Sequence, residues 1–468
     1  MDYKVRTRLS RILVDDAVEA NADITILGWV RTVRVSKSVA FVQINDGSCM
    51  GSIQAVVGDP ENWPVLQGLL AGASVRVKGK LVPSQGKGQK YELAVDSLEM
   101  IGEADATYPL QPKRHTLEFM REVAHLRPRT NTFGAVYRTK SKLAYAVHRF
   151  FQEHGFYYIH TPLISTSDCE GAGDLFRVTS LDLDNLPRLE DGKIDWNADF
   201  FASEAFLAVS GQLEGELLAT ALGDIYTFGP TFRAENSNTS RHASEFWMIE
   251  PEMAWAELSD NMDLAEEFLK YLFRFALEEC ADDMAFFNKW IAKDYDLCKM
   301  LESVVESKFK RITYTEAIDI LNKSGQKFEY PTKWGEDLAT EHERYLTEKK
   351  FKKPVIVTDY PESFKPFYMR TNDDGKTVAA MDVLVPGVGE IIGGSQREER
   401  LDVLNARIKK KGMTDMDNYY WYLDIRKYGS VPHSGFGLGF ERAVMYVTGM
   451  TNIRDVLTFP RVPRWAKF

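Results

Sequence analysis

The chain has 468 residues and a formal net charge of −10 at pH 7, with 44% hydrophobic and 27% charged residues. This length suits two or more domains with a sizeable core, and the composition is that of a soluble globular protein. The negative charge excludes an attractive field over the whole surface for nucleic acid, so composition alone argues mildly against an RNA partner. No stretch approaches ~20 apolar residues, and the start, MDYKVRTRLSRILVDD, lacks the apolar core of a signal peptide, so no membrane association is expected.

The four cysteines, Cys49, Cys169, Cys280 and Cys298, are far apart and form no CxxC pair. This usage fits reduced thiols better than a disulfide framework. Together with the missing signal peptide, it predicts a cytoplasmic protein.

Residues from about Ile24 to Met100 predict a small all-β module. Five short apolar or alternating runs are separated by turn pairs such as Asp46-Gly47 and Gly58-Asp59. Five strands of this length are typical of a small closed barrel such as an OB-fold, which frequently binds single-stranded nucleic acid.

This barrel offers residue types that hold a single RNA strand, although each alone is more often an ordinary surface or core residue. Phe41 is the candidate stacking platform, because every base has a face to stack. Arg31 and Arg34 are candidates for phosphates, and Gln54 and Glu92 for base edges.

Prolines and scattered charges between Gly102 and Asn131 are typical of a hinge between domains. Gly134 to His154 then predicts an amphipathic helix, which Gly155 ends. The run GFYYIHTPLI predicts a strand that ends at Pro162. By itself this pair is equally typical of a core helix and strand.

Two glycine-containing segments follow, CEGAGDLFRV and LAVSGQLEGE, and their polar side chains suit a small zwitterion. The carboxylate of Glu170 and the amide of Gln212 are suited to hold an ammonium and a carboxylate group. Taken alone, such segments are more often plain turns.

Residues Tyr226 to Glu257 carry charged side chains within otherwise apolar strands. Tyr226 to Glu235 predicts a strand, Asn236 to Ser244 a long loop, and Glu245 to Glu250 a return strand. Because side chains alternate along a strand, Arg233 and Glu235 share one face, and so do Phe246 and Glu250. A lone Arg–Glu pair of this kind is more often an ordinary pair on an exposed sheet face. Here the loop adds Arg241 and His242 and the return strand adds Glu245, which gives a cluster of cations and carboxylates around one aromatic ring. Burial of unpaired charges is costly, so this cluster favours a nucleotide with its metal.

From about Leu258 to Glu348 the pattern is helix-rich and carries no chemical constellation. Strands return from Pro354, and Asp382 and Glu390 flank a turn, so a hairpin would bring both carboxylates together. Carboxylate oxygens completed by triphosphate oxygens are how proteins usually hold Mg²⁺.

The last motif, PHSGFGLGFERAVMYVTGM, is a glycine-rich segment that opens into an apolar helix at Phe440. A dinucleotide fingerprint would need glycine at position 440, and the sequence contains no GxxxxGK[ST] pattern. Neither common phosphate-binding loop therefore explains the charged cluster.

Three segments in chain order, FRAENSNTSRHASEF, GGSQRE and GLGFER, resemble motif 2, a substrate-side segment and motif 3 of the class II aminoacyl-tRNA synthetases. The resemblance covers nearly the whole chain and lies in the branch for aspartate, asparagine and lysine, close to its bacterial-type asparagine-specific members. It implies an α+β fold with an N-terminal OB-fold anticodon-binding domain (1–103), a hinge (104–130) and a catalytic domain (131–468) in which helices flank an antiparallel sheet. Residues 258–348 would be a helical insertion, and the helix and strand around Gly155 resemble motif 1, which builds a homodimer interface.

The resemblance also implies roles for single residues, of which Arg233, Glu235 and Arg442 would be catalytic. The ATP-binding set would be Arg233, Glu235, Arg241, His242, Phe246, Glu390 and Arg442. The amino acid would be bound by Glu170, Ser210, Gln212, Glu250 and Arg397. Mg²⁺ would be held by Glu390 and Asp382, and the anticodon would be read near Phe41, Gln54 and Glu92.

Two positions favour a neutral amide substrate over a carboxylate. Aspartate-specific relatives place a lysine three residues beyond the glutamine, where this chain has Gly215. Without that cation, a carboxylate loses a charge-assisted contact. Glu250 stands where those relatives have an aspartate, and it is suited to accept from an amide nitrogen while repelling a carboxylate.

The implied reaction is ATP-dependent activation of L-asparagine to asparaginyl-adenylate, followed by transfer to tRNA(Asn). Three alternatives stay open: a relaxed synthetase that also charges aspartate, a tRNA-independent AMP-forming asparagine synthetase, and a catalytically silent RNA-binding protein. Gly215 and Glu250 argue against the first, and the intact barrel argues against the second. The complete motif set argues against the third.

Overall fold

The structure is a computed structural model that describes residues 3–86, 88–111, 113–167, 175–413 and 419–468. Its contacts divide the chain into two units, 1–139 and 140–468. The first unit is a barrel with its own core, and the second combines helices with an eight-stranded sheet. The predicted α+β class is confirmed.

The N-terminal unit contains the predicted closed five-stranded barrel. Its strands are β1 (Asp23–Val35), β2 (Val39–Asn45), β3 (Ile53–Gly58), β4 (Ser74–Pro83) and β5 (Tyr91–Gly102). They are hydrogen-bonded in the order β1-β2-β3-β5-β4, with β4 paired back to β1. Alternation sends every second side chain inward, so Ile26, Val42 and Val77 are fully buried. A short helix, α1 (Leu9–Leu13), packs onto the same core.

The other strands form one large and one small sheet. They are β6 (Tyr157–Tyr158), β7 (Ile164–Ser165), β8 (Arg177–Val178), β9 (Ala205–Leu207), β10 (Asp224–Phe232), β11 (Glu245–Ala254), β12 (Lys310–Thr313), β13 (Val355–Pro361), β14 (Thr377–Val385), β15 (Gly389–Gln396) and β16 (His433–Gly439). The large sheet has the order β12-β13-β14-β15-β16-β11-β10-β6, antiparallel except at its two edge pairs. The small sheet has the order β7-β9-β8.

The remaining helices precede, flank or connect these strands. They are α2 (Leu117–Glu122), α3 (Asn131–Glu153), α4 (Gln212–Leu222), α5 (Leu258–Glu279), α6 (Ala281–Trp290), α7 (Leu297–Glu306), α8 (Tyr314–Asn322), α9 (Thr340–Arg344), α10 (Leu401–Lys410), α11 (Tyr420–Lys427) and α12 (Phe440–Thr448). None of them, within the described ranges, is long and apolar enough to cross a membrane.

The helix predicted before Gly155 is confirmed as α3, and Gly155 follows it with a φ of +83°. The strand predicted from GFYYIHTPLI is much shorter, because only Tyr157 and Tyr158 pair with β10 at the edge of the sheet. The segment predicted as a helical insertion also differs from its prediction. Its strand β12 extends the large sheet by pairing in parallel with β13.

Candidate active site

A cavity of about 440 Å³ lies over the strands of the large sheet, between the β10–β11 loop, β14, β15 and the start of α12. It gathers the described members of the predicted ATP, amino-acid and magnesium sets. They are Ser210, Gln212, Arg233, Glu235, Arg241, His242, Phe246, Glu250, Asp382, Glu390, Arg397 and Arg442. Glu170 lies outside the described residues.

The β10–β11 hairpin differs from its prediction at the end of its first strand. β10 ends at Phe232, so strand alternation does not place Arg233 and Glu235. Pairing continues for one step, because the Arg233 N–H donates to the Ser244 carbonyl at 3.0 Å. Both side chains still line the cavity, and the Arg233 guanidinium lies 5.4 Å from the centre of the Phe246 ring.

Positive charge is concentrated at the loop end of the cavity. Burial and the charge of Arg442 lower the pKa of Arg241. Burial also lowers the pKa of His242; Glu235 opposes this shift, and Arg442, Arg233 and Arg241 add to it. Cations that depress one another's pKa gain from a polyanion, which relieves their repulsion. This end of the cavity therefore fits a triphosphate.

The loop between β10 and β11 is held by the C-terminal segment, a contact that the sequence did not indicate. The Ser244 N–H donates to the Arg461 carbonyl, and the Ile453 N–H donates to the Ser240 carbonyl, both at 2.8 Å. These bonds fix both ends of the stretch that carries Arg241.

The β14–β15 hairpin brings Asp382 and Glu390 together, as predicted. A Cβ on Gly393 would lie 3.1 Å from Glu390 Oε1 and 3.7 Å from Asp382 Oδ1, so both carboxylates converge above this glycine. Two further charged residues were missed by sequence reasoning. Lys365 Nζ lies 3.1 Å from Asp382, and the Glu343 carboxylate accepts the Glu390 N–H at 3.2 Å.

The carboxylates of Asp382 and Glu390 lie close enough for one to change the pKa of the other. Burial and the charge of Asp382 raise the pKa of Glu390, against Arg442 and Lys365. Within the described residues, no group of three or more Cys, His, Asp or Glu side chains is arranged to hold a metal ion by itself. Two converging carboxylates of this kind fit a divalent cation whose other ligands come from phosphate and water. Glu390 is the stronger candidate ligand, because Asp382 is already paired with Lys365.

The amino-acid end of the cavity contains two carboxylates from β11. Because β11 side chains alternate, Glu250 and Glu252 face the cavity together with Phe246. Glu250 is buried and accepts from the Gly211 N–H at 3.0 Å, from Thr227 Oγ1 at 2.9 Å and from the Ser210 hydroxyl. Protein donors therefore already engage both of its oxygens, and a substrate amide would be a further donor.

The guanidinium group of Arg397 is hydrogen-bonded to Glu252 and Ser395. Its Nε donates to Glu252 Oε2 at 3.1 Å, its Nη2 donates to the other Glu252 oxygen, and its Nη1 donates to Ser395 at 2.9 Å. Burial opposes the charged form of Arg397, but Glu252 and then Glu216 raise its pKa above the usual arginine value. A Cβ on Gly435 would fall 2.3 Å from the Glu252 carboxylate, so only glycine fits there.

Glu216 and Glu252 were both missed by sequence reasoning, although a signal existed for each. Glu252 lies two residues beyond Glu250 on the same strand and so shares its face. Glu216 lies four residues beyond Gln212 and so falls one helical turn away.

The glycine-rich segment ends where α12 begins, and its charged residues are anchored on both sides. Arg442 Nη1 donates to the Glu390 carbonyl at 3.2 Å. The buried carboxylate of Glu441 accepts from Lys140 Nζ at 2.7 Å and from the Trp247 N–H at 2.9 Å. This fixes the start of α12, and with it Arg442, beside the cation-rich end of the cavity.

Four of the barrel residues predicted for RNA lie on one outer face, and Arg31 departs from it. Gln54 of β3 is directly opposite Glu92 of β5, and Phe41 and Arg34 are cross-strand partners on β2 and β1. Arg31 sits at a bulge in β1 and donates to Asn45 at 3.2 Å instead of extending this row. Phe41, Gln54 and Glu92 are all half-buried, which leaves part of each side chain for a ligand.

Residues 116–463 match the family described as "tRNA synthetases class II (D, K and N)", which is more than half of the chain. The chain belongs to this family. Residues 24–101 match the family described as "OB-fold nucleic acid binding domain". This range contains the closed five-stranded barrel of the structure.

Similar class II synthetases cover nearly the whole chain. The asparagine–tRNA ligase of Clostridium tetani is 59% identical over 449 residues, which cover 96% of each chain. That of Nostoc sp. is 56% identical over 467 residues, covering 99% of this chain and all of the relative. The crystal structure of Pyrococcus horikoshii asparaginyl-tRNA synthetase complexed with asparaginyl-adenylate has a TM-score of 0.85 at 33% identity and covers 99% of both chains.

Proposed function

We propose that the protein is an asparagine–tRNA ligase, which activates L-asparagine with ATP and transfers it to tRNA(Asn). The observation that carries this proposal is the charge balance of the amino-acid slot. Arg397 is matched by Glu252, and the position of the aspartate-specific lysine is Gly215. Glu250 adds a further carboxylate. A carboxamide side chain therefore enters without a charge mismatch, whereas aspartate would add a negative charge with no cation to receive it.

ATP would lie along the loop end of the cavity. Phe246 would stack on the adenine, and Glu235 would accept a hydrogen bond from its amino group. Arg241, His242 and Arg442 would hold the β- and γ-phosphates, the arginines as cations and His242 as an N–H donor, and the bound phosphates would relieve the repulsion between the arginines.

The first chemical step would join the asparagine carboxylate to the α-phosphorus of ATP. A carboxylate oxygen attacks in line, the bond to the β-phosphate breaks, and pyrophosphate leaves. Such transfers need positioning and charge neutralisation more than a strong base. Arg233 would bridge the attacking carboxylate and the α-phosphate, and so would stabilise the charge that develops there.

Glu390, with Asp382, would hold a Mg²⁺ ion, since their carboxylates converge beside the cation-rich end of the cavity. When bound, the ion would neutralise charge on the leaving phosphates. Lys365 would keep Asp382 oriented, because the two side chains already form an ion pair.

The second step would transfer asparagine to RNA. A hydroxyl of the terminal ribose attacks the carbonyl carbon of the adenylate, and AMP leaves. On the barrel, Phe41, Gln54 and Glu92 would read the anticodon by stacking and by contacts to base edges.

We also propose a cytoplasmic homodimer. Tyr145 of α3 and Tyr157 of β6 are 62% and 58% exposed, and they lie on the helix and strand that resemble the dimer-forming motif 1, where aromatic side chains suit a subunit interface. Sedimentation of the purified protein tests the dimer directly, and a monomer at micromolar concentration would contradict it.

Transfer of labelled asparagine to tRNA tests the proposed function as a whole. The protein should charge tRNA(Asn) only when ATP and Mg²⁺ are both present. Release of free asparagine from aspartate and ammonia would instead identify an amide ligase. Tight tRNA binding without any charging would identify a silent RNA-binding protein.

A further inference from the structure

The buried carboxylate of Glu216, on α4 behind the amino-acid slot, receives four side-chain donors. Its Oε1 accepts from Gln212 Nε2 at 3.0 Å. Its Oε2 lies 2.8 Å from the Tyr422 hydroxyl, 2.5 Å from Arg426 Nη2 and 3.0 Å from His433 Nε2. These donors come from α4, α11 and β16, so one carboxylate joins three elements around the slot.

Glu216 is ionised despite being fully buried. Burial alone raises its pKa, but Arg426, His433 and Arg397 outweigh this effect and the net shift is downward. An ionised carboxylate accepts hydrogen bonds and donates none. Its partners must therefore all turn a donor toward it.

This requirement fixes the orientation of Gln212. A glutamine amide has a donating nitrogen and an accepting oxygen, and either end can face a mixed environment. Here the nitrogen must face Glu216, so the oxygen faces the other way. Gln212 lines the cavity, and its oxygen is the end that can accept from the ammonium group of an amino acid.

Glu216 also balances the charges behind the slot. Arg397 Nε lies 3.9 Å from Glu216 and pairs directly with Glu252. Arg426 pairs with Glu216, and both of their side chains are completely buried. Two guanidinium groups thus face two carboxylates. Burial raises the pKa of Glu252 to about 8, and Arg397 opposes this shift. Both Glu252 oxygens accept N–H bonds from Arg397, an arrangement that fits the ionised carboxylate, so the formal charges of the two pairs cancel.

We propose that Glu216 is a positioning residue for substrate selection. It turns the Gln212 oxygen toward the α-ammonium group, and it cancels the charge of Arg426 so that no buried cation is left to attract an aspartate carboxylate. This inference rests on the proposed asparagine activation.

The test compares pyrophosphate exchange with asparagine and with aspartate in three variants. Glu216→Gln removes the charge and replaces an acceptor-only carboxylate by an amide that can donate as well as accept, so it no longer forces the Gln212 orientation. The double variant Glu216→Gln with Arg426→Met has the same two-way amide at position 216 but restores the charge balance. Glu214→Gln is the matched control, since it makes the same charge change at a half-buried side chain two residues away on α4.

Glu216→Gln should reduce the asparagine-to-aspartate ratio of kcat/KM about ten-fold or more, because Arg426 is left without its counter-charge. The double variant should return the ratio to near the wild-type value while its KM for asparagine stays raised by about three-fold or more, since the Gln212 amide is free to turn. Glu214→Gln should keep the wild-type ratio.

A purely structural role would lower the melting temperature and the total activity without moving the ratio. An unchanged ratio in folded Glu216→Gln overturns the proposal. If that variant does not fold, the double variant decides, because removal of both partners of a buried ion pair is often tolerated. A wild-type KM for asparagine in the double variant, or failure of both variants to fold, would overturn the proposal and leave Glu216 with a purely structural role. Absence of asparagine-dependent exchange in the wild-type protein would instead remove the proposed function itself.

Discussion

Arg397 and Glu252 form a two-pronged ion pair in the floor of the amino-acid slot, with side chains only 3% and 1% exposed. The Nε···Oε2 distance is 3.1 Å, and the second contact, from Nη2 to Oε1, is closer still. Several N–H groups of Arg397 already donate to Glu252 and Ser395. Arg397 can therefore donate a hydrogen bond to the substrate, while its positive charge is already balanced by Glu252. The same ion pair therefore stabilises the fold and helps the slot to prefer asparagine over aspartate.

Removal of the Glu252 carboxylate should destabilise the fold strongly. Glu252→Ala leaves a buried guanidinium without its main partner, so the free energy of unfolding should fall by about 3 kcal/mol or more. Denaturant unfolding measures this. Glu204→Ala is the control, since it breaks the exposed Arg177–Glu204 pair and should cost less than about 1 kcal/mol. If both variants lose the same free energy of unfolding, the buried pair stabilises the fold no more than an exposed pair does.

A cation at position 215 should weaken discrimination against aspartate. A Cβ on Gly215 would lie 3.5 Å from Glu252 Cγ, an ordinary contact, so a side chain there fits beside the slot. Gly215→Lys should lower the asparagine preference in pyrophosphate exchange about ten-fold. Gly215→Ala adds the same Cβ without charge and should keep the preference. If lysine and alanine behave alike, charge at this position does not select the substrate.

The pH dependence of stability should change when Glu343 is replaced. Burial and then Glu390 raise the pKa of Glu343 to about 8. The same group in the unfolded chain ionises near ~4.3, so between these values the folded state keeps a proton that the unfolded state has released. Stability therefore falls as pH rises through this window.

Glu343→Gln removes that titration. Without Mg²⁺ and ATP, the variant and the wild-type protein should have similar free energies of unfolding below about pH 4. Above about pH 8 the variant should be more stable, by up to ~5 kcal/mol. Denaturant unfolding across this range gives the comparison. A difference that is independent of pH would contradict the raised pKa.

Loss of the aromatic ring at position 41 should affect tRNA use and leave amino-acid activation intact. Stacking of one base contributes ~1–3 kcal/mol, so Phe41→Ala should raise the KM for tRNA(Asn) by about ten-fold. Asparagine-dependent exchange should stay at the wild-type rate. Leu70→Ala truncates an exposed apolar side chain elsewhere on the same unit and should leave the KM for tRNA unchanged. Equal effects of the two variants would remove Phe41 from the anticodon surface.

Periodicity in the sequence was enough to predict the barrel, helix α3 and the hairpin that joins Asp382 to Glu390. Those features depend on local alternation and on turns, which the sequence shows directly. The end of β10 was predicted three residues late, because Arg233 to Glu235 retain a strand-like pattern. In the structure, this stretch belongs to a loop that the distant C-terminal segment holds.

Long-range contacts explain most of what was missed. Glu216 reads as an ordinary helix residue until Tyr422, Arg426 and His433 are brought against it from more than two hundred residues away. Lys365 and Glu343 similarly become part of the site only because folding places them beside Asp382 and Glu390. No local pattern carries that information.

The most direct measurement is ATP–pyrophosphate exchange by the purified protein with asparagine, with aspartate and with neither. Exchange should depend on asparagine and be weaker with aspartate by about a hundred-fold or more, because Arg397, the cation that the described residues place in the floor of the slot, is already matched by Glu252. Folded Arg233→Ala should lose the activity, since it lacks the group that bridges the attacking carboxylate and the α-phosphate. Equal exchange with both amino acids, or near-normal exchange by Arg233→Ala, would contradict the proposed enzyme.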